Sequence, residues 1–410
     1  MLGRAVLSVA ASVALVLTAP GTGVATGPGQ GARAQTIREQ QWHLEALGVP
    51  AAHATTRGEG VVVAVVDSGV DATRPDLAGA LLPGAGFGSA SGTDGTLDGD
   101  GHGTAMAALI GGRGVDGGVL GVAPASRILP VSVGADGEKF TTTSVAEGVT
   151  WAVDQGADVV NLSLTSAATL TPDLLRAVNH AFDNDVVVVA GTGNDGQEHV
   201  GAPANIKGVV AVSGTVRGNA PWPSSNTGPE TVLAAPAEDI VTAITLNASA
   251  TGFAQVDGTS AATALVSGVA ALVRAHRPDL DAGNVVNRLI ATATDLQAPG
   301  RDGATGFGLV NPVAALTAEV PAVDRNPLAP PPPPPPATTA SAPPAQALPP
   351  AAPEGGDRLA PIAGGLGAAV VLVVAIALLR ARRNRIRRAP VPVVTEIPPP
   401  DDDFWRTDRW

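Results

Sequence analysis

The sequence predicts an α/β domain: a parallel β-sheet with helices on both faces, with one further transmembrane helix near the C-terminus. Two observations carry the domain prediction. Short Val-rich runs recur at Val61–Val66, Ile128–Val133, Val159–Leu162, Val186–Ala190 and Val209–Ser213, the pattern of strands buried on both faces. Helical stretches at Gly103–Gly111, Ser144–Gln155 and Pro172–Asn184 separate several of them, and such alternation implies right-handed crossovers onto one parallel sheet. A third observation sets the organisation. The 410 residues include long stretches unable to join a core, so the chain reads as one folded domain with appendages.

In chain order, residues 1–34 carry Arg4, the apolar run Ala5–Ala19 and the small-residue stretch ending Ala32-Arg33-Ala34, which together read as a secretory signal. Residues 35–60 form an N-terminal extension, too short for a folded domain of its own and so expected to pack on the main domain, which is assigned to 61–318. Residues 319–358 are a Pro/Ala-rich linker with seven consecutive prolines, Pro330 to Pro336, and predict a stiff polyproline II spacer. Leu359–Leu379 is an uncharged run long enough to cross a hydrocarbon layer of about 30 Å as a helix. Arg380, Arg382, Arg383, Arg385, Arg387 and Arg388 follow it, which marks the 380–410 tail as cytoplasmic and everything before the span as extracytoplasmic. The expected location is the cell membrane, single-pass.

A net charge of −12 argues against a nucleic-acid partner, and most clustered basic charge lies in the tail. With no cysteine, neither a disulfide framework nor a thiolate metal site can form.

In a parallel sheet, chemistry is expected outside the carboxyl ends of the strands. Three segments present reactive side chains at such edges. Asp67 is expected just beyond the first strand, in Asp67-Ser68-Gly69-Val70-Asp71. His102 opens a small-residue helix after a glycine-rich loop, Asp98-Gly-Asp-Gly-His102-Gly-Thr104. Ser260 leads from Asp257-Gly-Thr into an apolar helix rich in Ala and Val. Each alone reads better as a turn, a loop residue or a helix cap. Together, in the order Asp, His, Ser, they resemble the subtilisin-like (subtilase) family of serine endopeptidases.

That resemblance implies a catalytic triad of Asp67, His102 and Ser260 acting through an acyl-enzyme. Gly191-Thr-Gly-Asn194-Asp195-Gly196 is similar to the family's Gly-Asn segment, so Asn194, with the Ser260 backbone N–H, is expected to bind the oxyanion. Asn161-Leu-Ser-Leu-Thr165 resembles the family's Ser-Leu edge, and Ser163, Leu164 and Thr165 with Ala190, Gly191 and Thr192 are expected to line the first specificity pocket. Small residues there point to an uncharged substrate side chain. No cofactor or metal is expected: Asp94, Asp98 and Asp100 read as turn formers of the loop that presents His102. His43, His53, His180, His199 and His276 receive no role.

The order signal, protease domain, proline-rich linker, span and basic tail is similar to that of the mycosins, the subtilases of type VII secretion systems, as is Arg38-Glu-Gln-Gln-Trp42-His-Leu. The resemblance implies protein or peptide substrates and a type VII secretion complex as partner. Two features depart from it: the chain has no cysteine where mycosins commonly carry disulfides, and Ala264 stands where the family usually has Pro. A competing function is that of a structural subunit, stabilising a secretion complex independently of proteolysis.

Overall fold

The computed structural model describes residues 36–134, 140–166, 170–297 and 299–330. The signal, most of the linker, the expected span at 359–379 and the 380–410 tail lie outside the described residues. Among the described residues no helix is long and apolar enough to cross a membrane.

Seven parallel strands form the central sheet: β1 (Val62–Asp67), β2 (Ala85–Gly86), β3 (Arg127–Ser132), β4 (Val159–Leu162), β5 (Val187–Gly191), β6 (Val210–Thr215) and β7 (Leu233–Pro236). Their order across the sheet is β2-β3-β1-β4-β5-β6-β7, and β8 (Ile240–Ala243) pairs antiparallel with β9 (Phe253–Val256) beside it. The five Val-rich runs are all strands. Several edges move by a residue or two, and one such shift matters: Asp67 lies inside its strand. The ladder with β3 continues through Asp67 opposite Ser132, and Val133 N–H donates to the Asp67 carbonyl at 2.8 Å. The carboxylate is therefore held by strand geometry.

Helices cover both faces. On one side α4 (His102–Gly111) and α7 (Thr259–His276) pack against each other and on the sheet; α5 (Thr142–Asp154) and α6 (Pro172–Asp183) also pack together. Alternation along β1 divides the faces. Val66 stands with Val131 and Val133 under Gly148 of α5, where a Cβ would crowd all three, and Asp67, one residue on, points to the face where α4 begins. A buried layer of Val, Ala and Leu from β1, β3, β4, β5 and β6 fills both interfaces.

The N-terminal extension packs on the domain as the sequence predicts. A capping box between Thr36 and Glu39 starts α1 (Ile37–Gln40), and α2 (Trp42–Ala46) and α3 (Val49–Ala52) follow. Leu44, Leu47, Val49 and Ala52 join the main core. The Gln41 side chain both donates to and accepts from the Leu120 backbone, at 3.0 and 2.9 Å. Trp42 donates its indole N–H to the Asp239 carbonyl at 3.0 Å, and the Arg217 guanidinium lies 4.5 Å over its ring.

The first residues of the Pro/Ala-rich segment also lie on the domain. Asn284 of α8 (Ala282–Ala291) pairs through its amide with both backbone groups of Val323, and Asn287 donates to the Pro321 carbonyl. Asn326 donates to the carbonyl of Gly208, just before β6 and so at the amino ends of the strands. The spacer as drawn from composition begins at 319; the side chains of α8 fix its first part because their amides meet otherwise unpaired backbone groups.

His43 is fully buried in α2, and neither ring nitrogen has a hydrogen-bond partner in the structure. Burial, with Arg38 and Arg217 nearby, pushes its pKa down to about 3. The folded ring refuses a proton that the unfolded chain accepts below 6.5, so this contribution to stability is present above pH 6.5 and is lost as pH falls toward 3. His43→Leu should therefore lose less stability than the wild type between pH 7 and pH 4 in urea melts. Equal losses in the two proteins would refute the assignment.

Candidate active site

The site grows from the carboxyl ends of β1, β4 and β5. At the end of β1, Asp67 has no solvent exposure. Its Oδ1 accepts from the Ser68 backbone N–H at 2.8 Å and sits 2.7 Å from His102 Nδ1. This contact fixes the imidazole tautomer with Nδ1 protonated and assigns the basic lone pair to Nε2. Burial pulls the His102 pKa down, but the Asp67 charge and hydrogen bond, with Asp100 and Asp98 behind them, outweigh it and push the value up to about 9.

The loop that presents His102 is built on a second buried carboxylate. Asp98 accepts from Ser68 Oγ at 2.9 Å, from Gly101 N–H at 2.9 Å, and from Thr104 N–H and Oγ1 at 2.9 and 2.5 Å. Gly103 N–H in turn donates to Ser68 Oγ at 2.9 Å. Asp98 thus ties the turn after β1 to the first turn of α4, and with it Asp67 to His102. Burial and the neighbouring Asp100 push its pKa up to about 6. The carboxylates of the expected turn are directed at their own loop: Asp94 accepts from Thr96, and Asp100 caps His102 N–H at 2.8 Å. Among the described residues no group of three potential ligands is arranged to hold a metal ion.

Ser260 is the second residue of α7 and is half-buried, its Oγ donating to the Ser163 carbonyl at 3.1 Å. The β1–β4 register sets Val65 opposite Asn161, so Asp67 and Ser163 stand level, two residues further along adjacent strands. A buried polar chain holds Ser260 there. Ser267 Oγ donates to Asn161 Oδ1, Asn161 Nδ2 to Ser163 Oγ, and Ser163 Oγ to the Ser260 carbonyl, each at 2.9 Å. Asn161 and Ser267 were assigned nothing by the sequence. The available signal was an amide in the middle of a Val-rich strand, where an unpaired polar group would be costly.

Asn194 follows β5. Its Oδ1 accepts from the Thr259 backbone N–H at 2.9 Å and from Thr259 Oγ1 at 2.8 Å, which orients Nδ2 as the remaining donor. A Cβ built on Gly258 would lie 3.5 Å from Asn194 Nδ2 and 3.7 Å from Ser260 N, so both donors border one small space, and Gly258, at φ +151°, leaves it open.

The six expected pocket residues divide. Ser163, Leu164, Thr165 and Gly191 stand together beside Ser260, with Thr165 Oγ1 donating to the Gly191 carbonyl at 2.9 Å. Ala190 and Thr192 have no solvent exposure, backbone included, and so lie beneath the cleft surface. Of the histidines without a role, His180 pairs with Asp154 at 2.8 Å on α6, and His53 Nε2 lies 2.8 Å from the Val122 carbonyl.

Comparison with known proteins gives the family. The model of the subtilase family matches residues 58–308. Subtilisin BL of Lederbergia lenta is 38% identical over 276 residues, 67% of this chain and 97% of that protein. M-protease of Shouchella clausii is also 38% identical, over 67% of this chain and 69% of its own length. Among solved structures, a protease of Pseudoalteromonas arctica PAMC 21717 superposes with a TM-score of 0.62 at 28% identity, covering 68% of this chain and 96% of that one. The MycP3 protease from the type VII (ESX-3) secretion system superposes at 0.58 and 31%, covering 71% and 90%. MycP1 without its N-terminal propeptide gives the same score and identity over 68% and 98%. The subtilase model matches most of the described domain and these proteases match along most of its folded length, so this protein is a serine endopeptidase of the subtilase family.

Proposed function

We propose that Ser260 is the nucleophile, His102 the general base and acid, and Asp67 the group that orients and stabilises the imidazolium. Ser260 Oγ attacks the scissile carbonyl carbon as its proton passes to His102 Nε2, and the carbonyl oxygen takes up the negative charge between Asn194 Nδ2–H and Ser260 N–H. His102 returns the proton to the leaving amine, and a water molecule then repeats the sequence on the acyl-enzyme. The observation that carries this reading is the 2.7 Å contact between the buried Asp67 and His102, one strand away from the hydroxyl of Ser260.

The finer reading is a membrane-anchored, extracytoplasmic endopeptidase that processes proteins of a type VII secretion system. It is supported by the order of segments in the sequence, by the uncharged run 359–379 with its arginine flank, and by the likeness to MycP3 and MycP1. The rival role as a structural subunit is separated by genetics. Secretion lost on deletion of the gene but kept with Ser260→Ala would establish the structural role; loss with both would tie secretion to cleavage.

Ser260→Ala should lower kcat on a peptide substrate by a factor on the order of 10⁶, and Asn194→Ala by about 10²–10³. Turnover surviving Ser260→Ala would assign the nucleophile elsewhere.

Catalysis needs neutral His102, so kcat/KM should climb with pH until about 9. Asp100→Asn removes one of the charges that raise this value and should move the inflection to lower pH. The charged pair stabilises the fold fully below pH 6.5, and that contribution fades as pH rises through about 9. A rate profile already level above pH 7 would contradict the arrangement.

Asn161→Ala strands the buried hydroxyl of Ser267, at a cost of about 1–3 kcal/mol, and removes the donor that holds Ser163 Oγ against the Ser260 carbonyl. Thermal unfolding should shift down and kcat should fall more than KM changes. Wild-type kcat in this variant would show that the chain through Asn161 does not position Ser260.

A further inference from the structure

We infer that Asn226 is a positioning residue for the oxyanion: it clamps the main chain on both sides of Asn194 and so holds the Asn194 amide beside Ser260 N. The inference rests on the oxyanion role proposed for Asn194. Asn226 is buried, only 4% exposed, and acts through that loop alone.

The segment Gly191 to Gly196 has glycine at 191, 193 and 196, and glycine loses more conformational freedom on ordering than any other residue. Such a loop does not hold a donor in place by itself. Thr259 grips the Asn194 side chain at Oδ1, through its backbone N–H and Oγ1 at 2.9 and 2.8 Å. That grip orients the amide but does not reach the main chain of residues 195–197. Asn226 does. Its N–H donates to the Gly193 carbonyl at 2.9 Å, and its Oδ1 accepts from the N–H groups of Asp195 and Gln197, both at 3.0 Å. One residue thus brackets Asn194 from before and after. Two donors meeting at one atom also settle which end of the Asn226 amide is the oxygen.

The clamp lies directly against Gly193. A Cβ there would fall 2.3 Å from Asn226 Nδ2, and Gly193, at φ +112°, occupies the backbone region that favours glycine. The base of the clamp is firm. Ser225 Oγ accepts from Gly214 N–H at 2.7 Å and Trp222 N–H donates to the Gly214 carbonyl at 2.8 Å, which fastens the segment bearing Asn226 to β6. Asn194 therefore follows β5 and is braced from the neighbouring strand. An oxyanion donor serves an oxygen only within about 2.7–3.1 Å, and a misplacement of about 1 Å lowers the rate on the order of 10²-fold.

The test measures kcat and KM on a fluorogenic peptide for the full-length chain, Asn226→Ala, Asn194→Ala and the double variant, with thermal unfolding as the check on folding. Asn226→Ala should lower kcat about 10²-fold with KM little changed. In the Asn194→Ala background the same substitution should lower kcat by less than about threefold more, because the donor that it positions is already gone. A merely structural loss would act equally in both backgrounds. Asn226→Ser is the milder change, since its shorter side chain cannot reach both N–H groups. It should lower kcat about tenfold with the same dependence on Asn194, and it carries the comparison if the Ala variant does not fold. Wild-type kcat in the folded variant, a change confined to KM, or a fall of equal size with and without Asn194 would overturn the inference while leaving the triad and Asn194 standing. Wild-type kcat in Asn194→Ala would remove the oxyanion reading and this inference together.

Discussion

The buried carboxylate of Asp67 is the constraint around which this molecule is arranged. A charge without solvent contact is tolerated only where donors and a counter-charge replace the lost water. Strand β1 supplies the position, Ser68 a backbone donor and His102 the charge partner. That solution requires the start of α4 to stay fixed against the end of β1, and a second buried acid, Asp98, does the fixing through Ser68, Gly101 and Thr104. Three carboxylates near one imidazole, Asp67, Asp100 and Asp98, raise its basicity as a by-product of holding it.

Ser260 is held by a different device, made from neutral groups. The Ser267, Asn161, Ser163 and Ser260 chain crosses from helix to strand and back, each acceptor in it matched to a donor. In the proposed mechanism the space beside Asn194 receives charge during the reaction, which neutral donors do not oppose as a fixed negative group would. The two halves of the site therefore use opposite electrostatics, negative behind the imidazole and donor-rich beside the hydroxyl.

Much of this was legible in the sequence. The strands were readable because burial on both faces demands unbroken Val-rich runs, and Asp67, His102, Ser260 and Asn194 stood out because their segments, taken in order, resemble those of the subtilase family. The strand Leu233–Pro236 was not, since its Leu-Ala-Ala-Pro run carries no Val and ends in a residue without an N–H. Ser68, Asp98 and Asn161 were also unreadable as parts of the site. Their partners lie 30, 6 and 106 residues away, and only folding tells which polar residue meets which. Thr165 was assigned to the pocket by the resemblance of its segment to the family's Ser-Leu edge, and its bond to the Gly191 carbonyl became visible only in the fold.

The seam between α8 and residues 321–326 gives the molecule a back and a front. Asn326 bonds to Gly208 at the amino ends of the strands, and Arg325 reaches the Pro330 carbonyl close by, whereas Asp67, Ser163 and Gly191 lie at the carboxyl ends. Tension on the chain beyond residue 330 is therefore delivered into α8 and the foot of β6, through the amides of Asn284, Asn287 and Asn326. The load path stops a full strand length short of the cleft, which mechanically decouples the cutting geometry from whatever the far end of the chain is doing.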